Sequence, residues 1–181
     1  MRIERQNSIV LVIDIQSRLF PLIHKFEELE TATVKLIEGM KALDIPFIVT
    51  EQYPKGLGTT IESVQTALAD NYKPIEKSSF SCIPCNEFMV KLNTHHQKNV
   101  IILGIEAHVC VLQTVIDLIA DGFNPVVVAD CVSSRTPENK AIALDRMRAE
   151  GAIITSYESI LFELCEVSGT DGFRAVSKIV K

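Results

Sequence analysis

Short apolar runs alternate along this chain with segments in which apolar residues recur every three or four positions. Ser8–Ile13 (SIVLVI) is apolar nearly throughout, the pattern of a strand covered on both faces. Leu29, Ala32, Leu36, Met40 and Leu43 then mark one face of a helix. Residues 46–49 (PFIV) read as a second strand, 61–69 as a short helix and Pro74–Lys77 as a weaker third strand. Residues 100–103 (VIIL) are a fourth strand, followed by a strongly apolar helix over 110–120. Residues 125–129 (PVVVA) are a fifth. A helix over 138–150 follows, with Pro137 suited to its first turn. Residues 152–155 give a sixth strand, and helices over 159–165 and 172–179 close the chain. Strands alternating with helices require right-handed crossovers. The pattern therefore predicts a single domain over residues 1–181, a three-layer α/β/α, Rossmann-like fold around a mostly parallel sheet.

Composition agrees with that picture. The 181 residues are 47% hydrophobic and 23% charged, a globular balance in one ordinary domain. No apolar run approaches the roughly 18 residues of a membrane helix. The opening MRIERQNSIVLVID has too short an apolar stretch, and no small-residue cleavage site, to read as a signal peptide. The formal charge is −5 and basic residues do not cluster, which argues against nucleic acid as a partner. Five scattered cysteines, an odd number, read as reduced thiols in a cytoplasmic protein.

Sheets of this kind bind ligands at the carboxyl ends of their strands. Three reactive residues fall there: Asp14 after the first strand, Lys77 at the end of the third, and Cys110 where the chain after the fourth enters a helix. Each also has an ordinary structural reading. An Asp after a strand caps helices, a Lys is usually a solvated charge, and a Cys entering an apolar helix behaves as a small hydrophobe. Their coincidence at one sheet edge favours chemistry. A helix N-terminus and a nearby ammonium lower a thiol's pKa, so Cys110 is expected as a thiolate nucleophile beside Lys77. Asp14 is placed to take and return its proton.

The segments LVIDIQ (Asp14), EKSSFS (Lys77), LGIEAHVCVLQTVIDL (Cys110) and VVVADCVSSR (Asp130, Ser134) resemble the isochorismatase-like, or cysteine hydrolase, superfamily over nearly the whole chain. Within it the chain is most similar to the isochorismatase domain-containing branch. The resemblance implies a six-stranded parallel sheet, Cys110 as nucleophile, Asp14 as general acid–base and Lys77 as the thiolate-stabilising cation. It also implies a cis Ile105–Glu106 peptide and an oxyanion hole formed by the N–H groups of Glu106 and Cys110. The nicotinamidase members carry a metal-binding Asp and His cluster after the second strand. Here that segment reads TEQYPKGLGTT, with neither residue, so no metal and no cofactor are expected. Isochorismatases proper cleave a vinyl ether without the thiol, whereas Cys110 points to an amide-like carbon.

Other signals carry less. Cys82-Ile83-Pro84-Cys85 matches C-x-x-C but lacks the setting of a redox motif and the further ligands of a zinc site. It reads as a loop before a helix begun by Pro84. Gly56-Leu57-Gly58 is a flexible loop rather than a phosphate cradle. Gln52, Tyr53, Phe20 and Phe80 are candidate substrate contacts, each with ordinary packing as the competing reading. His24 and His108 are structural. The expected protein is a metal-independent hydrolase of a small C–N substrate acting through a Cys110 thioester, with no membrane partner, its apolar late helices assembling it into a homo-oligomer. Vinyl-ether hydrolysis, or a catalytically silent fold acting through partner binding, are the alternatives.

Overall fold

In the computed structural model, which describes residues 2–181, the elements follow in the order β1 (Ser8–Ile13), α1 (Phe26–Ala42), β2 (Phe47–Gln52), α2 (Pro54–Leu57), α3 (Glu62–Leu68), β3 (Pro74–Lys77), α4 (Asn86–His95), β4 (Asn99–Ile105), α5 (Leu112–Ala120), β5 (Asn124–Ser133), α6 (Pro137–Glu150), β6 (Ile153–Thr155), α7 (Tyr157–Cys165) and α8 (Asp171–Ile179). The six strands form one all-parallel sheet in the order β3-β2-β1-β4-β5-β6.

Strand periodicity sorts the apolar side chains onto two faces. Val10 and Val12 of β1, Ile101 and Leu103 of β4, and Val126 and Val128 of β5 pack on one face. Against them lie Leu36 and Met40 of α1, Leu68 of α3, Ile160 of α7 and Val176 of α8. The intervening Ile9, Leu11, Val100, Ile102 and Val127 pack on the other face with Phe88 of α4, Val115 of α5 and Met147 of α6. Burial on both faces explains why these strands read as unbroken apolar runs.

The sequence reading places β1 and β3 within their observed bounds and cuts other strands short. β2 runs on to Gln52 through the polar Thr50 and Glu51, and β5 runs on to Ser133. The β4–β5 register shifts between Ile102 and Gly104, so Ile102 faces Val127 while Gly104 faces Val132. That irregularity admits Asp130 and Cys131 into β5 and hides its end from a simple apolar count. The helix expected from Cys110 has a wide π-type turn, Ala107–Val111, at its head, and α5 begins at Leu112. The Gly56–Gly58 segment, expected as a flexible loop, contributes to the helical turn α2.

The strand order reverses between β1 and β4. β1 leads to α1 on one face of the sheet, and β4 leads to α5 on the other. A crevice opens at such a reversal, outside the carboxyl ends of the two strands.

Candidate active site

Asp14 and Cys110 flank that crevice. Asp14 follows β1 with a left-handed backbone, φ 52°, a conformation Asp tolerates better than most residues. Its N–H donates to the Thr50 carbonyl at 3.2 Å, which holds the turn against β2. Gln16 ties the same corner together: its amide donates to the carbonyls of Gln52 and Gly58, and its Oε1 accepts from the Gln52 N–H.

Lys77 reaches across β2 from the end of β3. Its Nζ lies 2.6 Å from Asp14 Oδ2, and both side chains are withdrawn from water. The same ammonium donates to Gln52 Oε1 at 2.9 Å and to the carbonyls of Ser79 at 3.1 Å and Phe80 at 2.9 Å. Thr50 Oγ1 donates to the other Asp14 oxygen at 2.8 Å. A buried ion pair persists only when its remaining hydrogen-bonding capacity is met, and here neighbouring groups meet it.

Cys110 sits in the π-type turn after β4, 7% exposed. Thr114 Oγ1 donates to its carbonyl at 2.7 Å and accepts from the Cys82 N–H at 3.1 Å, fastening the turn to the loop after Lys77. The Ile105–Glu106 peptide before the turn is cis. The Glu106 carbonyl accepts from the N–H groups of Val109 and Val111, on either side of Cys110.

The charges do not make Cys110 a resting thiolate. Burial, and then the Asp14 carboxylate, push its pKa up, with Lys77 opposing them. The expected lowering by the Lys77 ammonium is present but outweighed, because the thiol is buried beside an anion. Burial also raises Asp14, against the pull of Lys77 and of hydrogen bonds from Lys77, Thr50 and Cys110. Burial disfavours the Lys77 ammonium, but the charge and hydrogen bond of Asp14 together with the neighbouring Cys82 and Cys110 outweigh it, and Lys77 ends higher than usual. Cys82, fully buried nearby, is pushed up to about 12 by burial and by Asp14.

Asp14, Gln52, Phe80, Glu106 and Cys110 border a cavity of about 250 Å³ whose apolar wall is Leu19, Leu57, Ile105 and Val109. Two candidate contacts lie elsewhere. Phe20 is buried in the core, its ring 5.9 Å from that of Phe26, because the turn after β1 presents Leu19 to the cavity instead. Tyr53 is 61% exposed and outside the cavity wall. Gln52 borders the cavity, with its amide engaged by Lys77 and by the Ser78 carbonyl.

Sequence reasoning passed over Arg135. It lies just past β5, its Nε donating to Glu106 Oε1 at 2.9 Å and its half-exposed guanidinium closing one side of the cavity. Placing the end of β5 at residue 129 hid it. His108 Nδ1 meets Ser134 Oγ at 2.9 Å, and Asp130 accepts the Tyr157 N–H at the start of α7. Glu51, the lone acid of the TEQYPKGLGTT stretch and part of the end of β2, accepts at Oε1 from the Thr60 N–H, the Thr60 hydroxyl and Tyr72. Among the described residues no group of three or more His, Cys, Asp or Glu side chains is arranged to hold a metal ion.

Known proteins share this architecture. Mouse isochorismatase domain-containing protein 2A is 33% identical over 181 residues, covering 99% of this chain and 85% of that protein. The structure described as the MAR1 ribonuclease of Caenorhabditis elegans superposes with a TM-score of 0.91 at 42% identity, covering 99% of this chain and 92% of that one. The Escherichia coli YcaC gene product, described as an octameric hydrolase of unknown specificity, superposes with a TM-score of 0.91 over 98% of this chain and 90% of that one. At 21% identity that likeness shows the fold alone. The isochorismatase domain model matches residues 8–159, and the chain belongs to the isochorismatase family.

Proposed function

We propose that the protein is a metal-independent cysteine hydrolase of small amide-like substrates, with Asp14, Lys77 and Cys110 as its catalytic triad. The observation that carries this reading is the convergence of a thiol and a buried Asp–Lys pair on one small cavity at the strand-order reversal. A carbonyl carbon bound there meets the Cys110 sulfur. Asp14 takes the thiol proton as the C–S bond forms, so the thiolate exists only during attack. The raised Asp14 and Cys110 pKa values suit a proton exchanged between them. The C–N bond then breaks, the proton passes from Asp14 to the leaving nitrogen, and a thioester remains. Water attacks the thioester with Asp14 again as base, releasing the acid and restoring the thiol.

Lys77 keeps Asp14 ionised and oriented. The N–H groups of Glu106 and Cys110 are the proposed oxyanion donors, and the Glu106 N–H has no backbone partner among the described residues. The terminal nitrogens of Arg135, unused by Glu106, suit a carboxylate or other anionic group on the substrate. Phe80 forms part of the cavity wall. The five free cysteines support a reducing, cytoplasmic setting. The exposed apolar side chains of Ile142, Phe162 and Val167 in the late part of the chain support assembly from copies of this chain, read by size-exclusion chromatography with light scattering.

The test is a screen of small amides, ureides and carbamoyl compounds for released ammonia or amine, with an RNA substrate alongside. Mass spectrometry of the quenched reaction should show an acyl adduct on Cys110 that is absent from Cys110→Ala. RNA cleavage that survives in Cys110→Ala, with no amide turned over, would overturn the reading.

A further inference from the structure

A second cavity, of about 300 Å³, opens at the carboxyl end of β5 between the starts of α1 and α6. None of its lining residues borders the Cys110 cavity. The two lie on opposite sides of the strand end, Ser133 facing this one and Arg135 the other.

Its wall holds two separated opposite charges. Lys140 is half-buried and, among the described residues, its ammonium enters no salt bridge and no hydrogen bond. Asp130 is half-buried, with Oδ1 accepting the Tyr157 N–H. The rim charges are already matched, Lys25 Nζ lying 2.9 Å from Glu28 Oε2. Leu29, Ala32 and Pro137 supply apolar surface in the same wall. Burial pushes the Lys140 ammonium down and the Asp130 carboxyl up, and each is offset only in part by the other's charge across the cavity, so each charged form still gains by meeting a closer opposite charge.

These features select a ligand class. A simple anion gains from Lys140 and loses to Asp130, and a simple cation does the reverse. A molecule carrying both charges on adjacent atoms of a small frame answers both. An aliphatic side chain then covers Leu29, Ala32 and Pro137. The volume is at the small end of ligand sites, roughly 300–1,000 Å³. We propose that this cavity binds a free α-amino acid with an aliphatic side chain, its carboxylate on Lys140 and its ammonium on Asp130.

The test is isothermal titration of the full chain with leucine and valine, with isovalerate and isopentylamine as single-charge controls. Thermal unfolding of each variant establishes that it is folded. Saturable binding of an amino acid is expected, with both controls weaker. Lys140→Met and Asp130→Asn should each weaken binding roughly tenfold or more, the loss of a charge-assisted contact. Asn at 130 keeps an acceptor for Tyr157. Cys110→Ala should bind as the unaltered chain does. Absence of amino-acid binding, equal binding of isovalerate, undiminished affinity in Lys140→Met, or loss of binding in Cys110→Ala would each overturn the proposal.

Discussion

Lys77 Nζ and Asp14 Oδ2 meet at 2.6 Å with both side chains sealed from solvent, so each charge is held in place by the other. Removing one partner of such a pair strands a buried charge, at a cost of about 3–5 kcal/mol. Lys77→Met should therefore lower the melting temperature by roughly 6–20 °C for a domain of this size. The double variant Asp14→Asn/Lys77→Met should melt above the temperature predicted by adding the two single effects. Both single variants should be inactive. Single variants that melt with the unaltered chain would show that the pair does not anchor this edge of the sheet.

Gly104 sits opposite Ile13 in the β1–β4 ladder, one residue short of Asp14. Its φ of 144° and its closeness to the Ile13 carbonyl oxygen leave no room for a Cβ. Gly104→Ala should destabilise the fold by about 1–3 kcal/mol or more, read by denaturant unfolding. It should also impair catalysis, because the obstructing atom belongs to the strand that positions Asp14. An alanine variant as stable and as active as the parent would show that β1 yields freely at this point.

The sheet was legible wherever burial on both faces left an unbroken apolar run, as in Ser8–Ile13. It was illegible where long-range pairing overrode composition. Thr50 and Glu51 continue β2 because they pair with Ile75 and Glu76, and Asp130 and Cys131 stay within β5 through a register shift. The triad candidates could be read because each lies at the end of its own strand. Arg135, Thr50 and Thr114 could not, since each acts through a partner distant in sequence. Phe20 and Leu19 are adjacent apolar residues, and only the turn after β1 decides which of them faces the cavity.

Arg135 donates Nε to Glu106, and its terminal nitrogens make no hydrogen bond among the described residues; on the proposed function they are free for substrate. A charge-assisted hydrogen bond is worth about 1.5–3 kcal/mol. Arg135→Met should therefore raise KM for substrates bearing a carboxylate by roughly 10–150-fold. For uncharged amides KM should change little, and kcat should be nearly unaffected for both. Steady-state kinetics on a matched acid and ester pair gives the comparison. An equal loss for both members would assign Arg135 to holding Glu106 rather than to substrate.

The carboxyl end of β2 offers one acid, Glu51, whose Oε1 is taken by Thr60 and Tyr72. Dialysis against a strong chelator should accordingly leave the hydrolysis rate unchanged. Activity lost on dialysis and restored by zinc or iron would refute a metal-independent mechanism.

The Asp14 carboxylate opposes ionisation of the Cys110 thiol, which gives a test separating charge from proton transfer. Burial and the Asp14 anion raise the thiol's pKa. Its alkylation by iodoacetamide should thus keep accelerating with pH beyond the ordinary thiol range, near pH 8.5. In Asp14→Asn the anion is gone while Lys77 remains, so the thiolate is favoured and the midpoint must move to lower pH. Each unit of that shift increases the thiolate fraction at neutral pH about tenfold. Hydrolysis should nonetheless be lost, because Asn cannot accept the thiol proton or return it to the leaving nitrogen. Peptide mass mapping follows Cys110 separately from the partly exposed Cys85 and Cys165, and circular dichroism establishes that the variant is folded. A variant that alkylates faster yet hydrolyses nothing makes Asp14 the base. Unchanged alkylation would detach Asp14 from the thiol, and retained hydrolysis would require another residue to carry the proton.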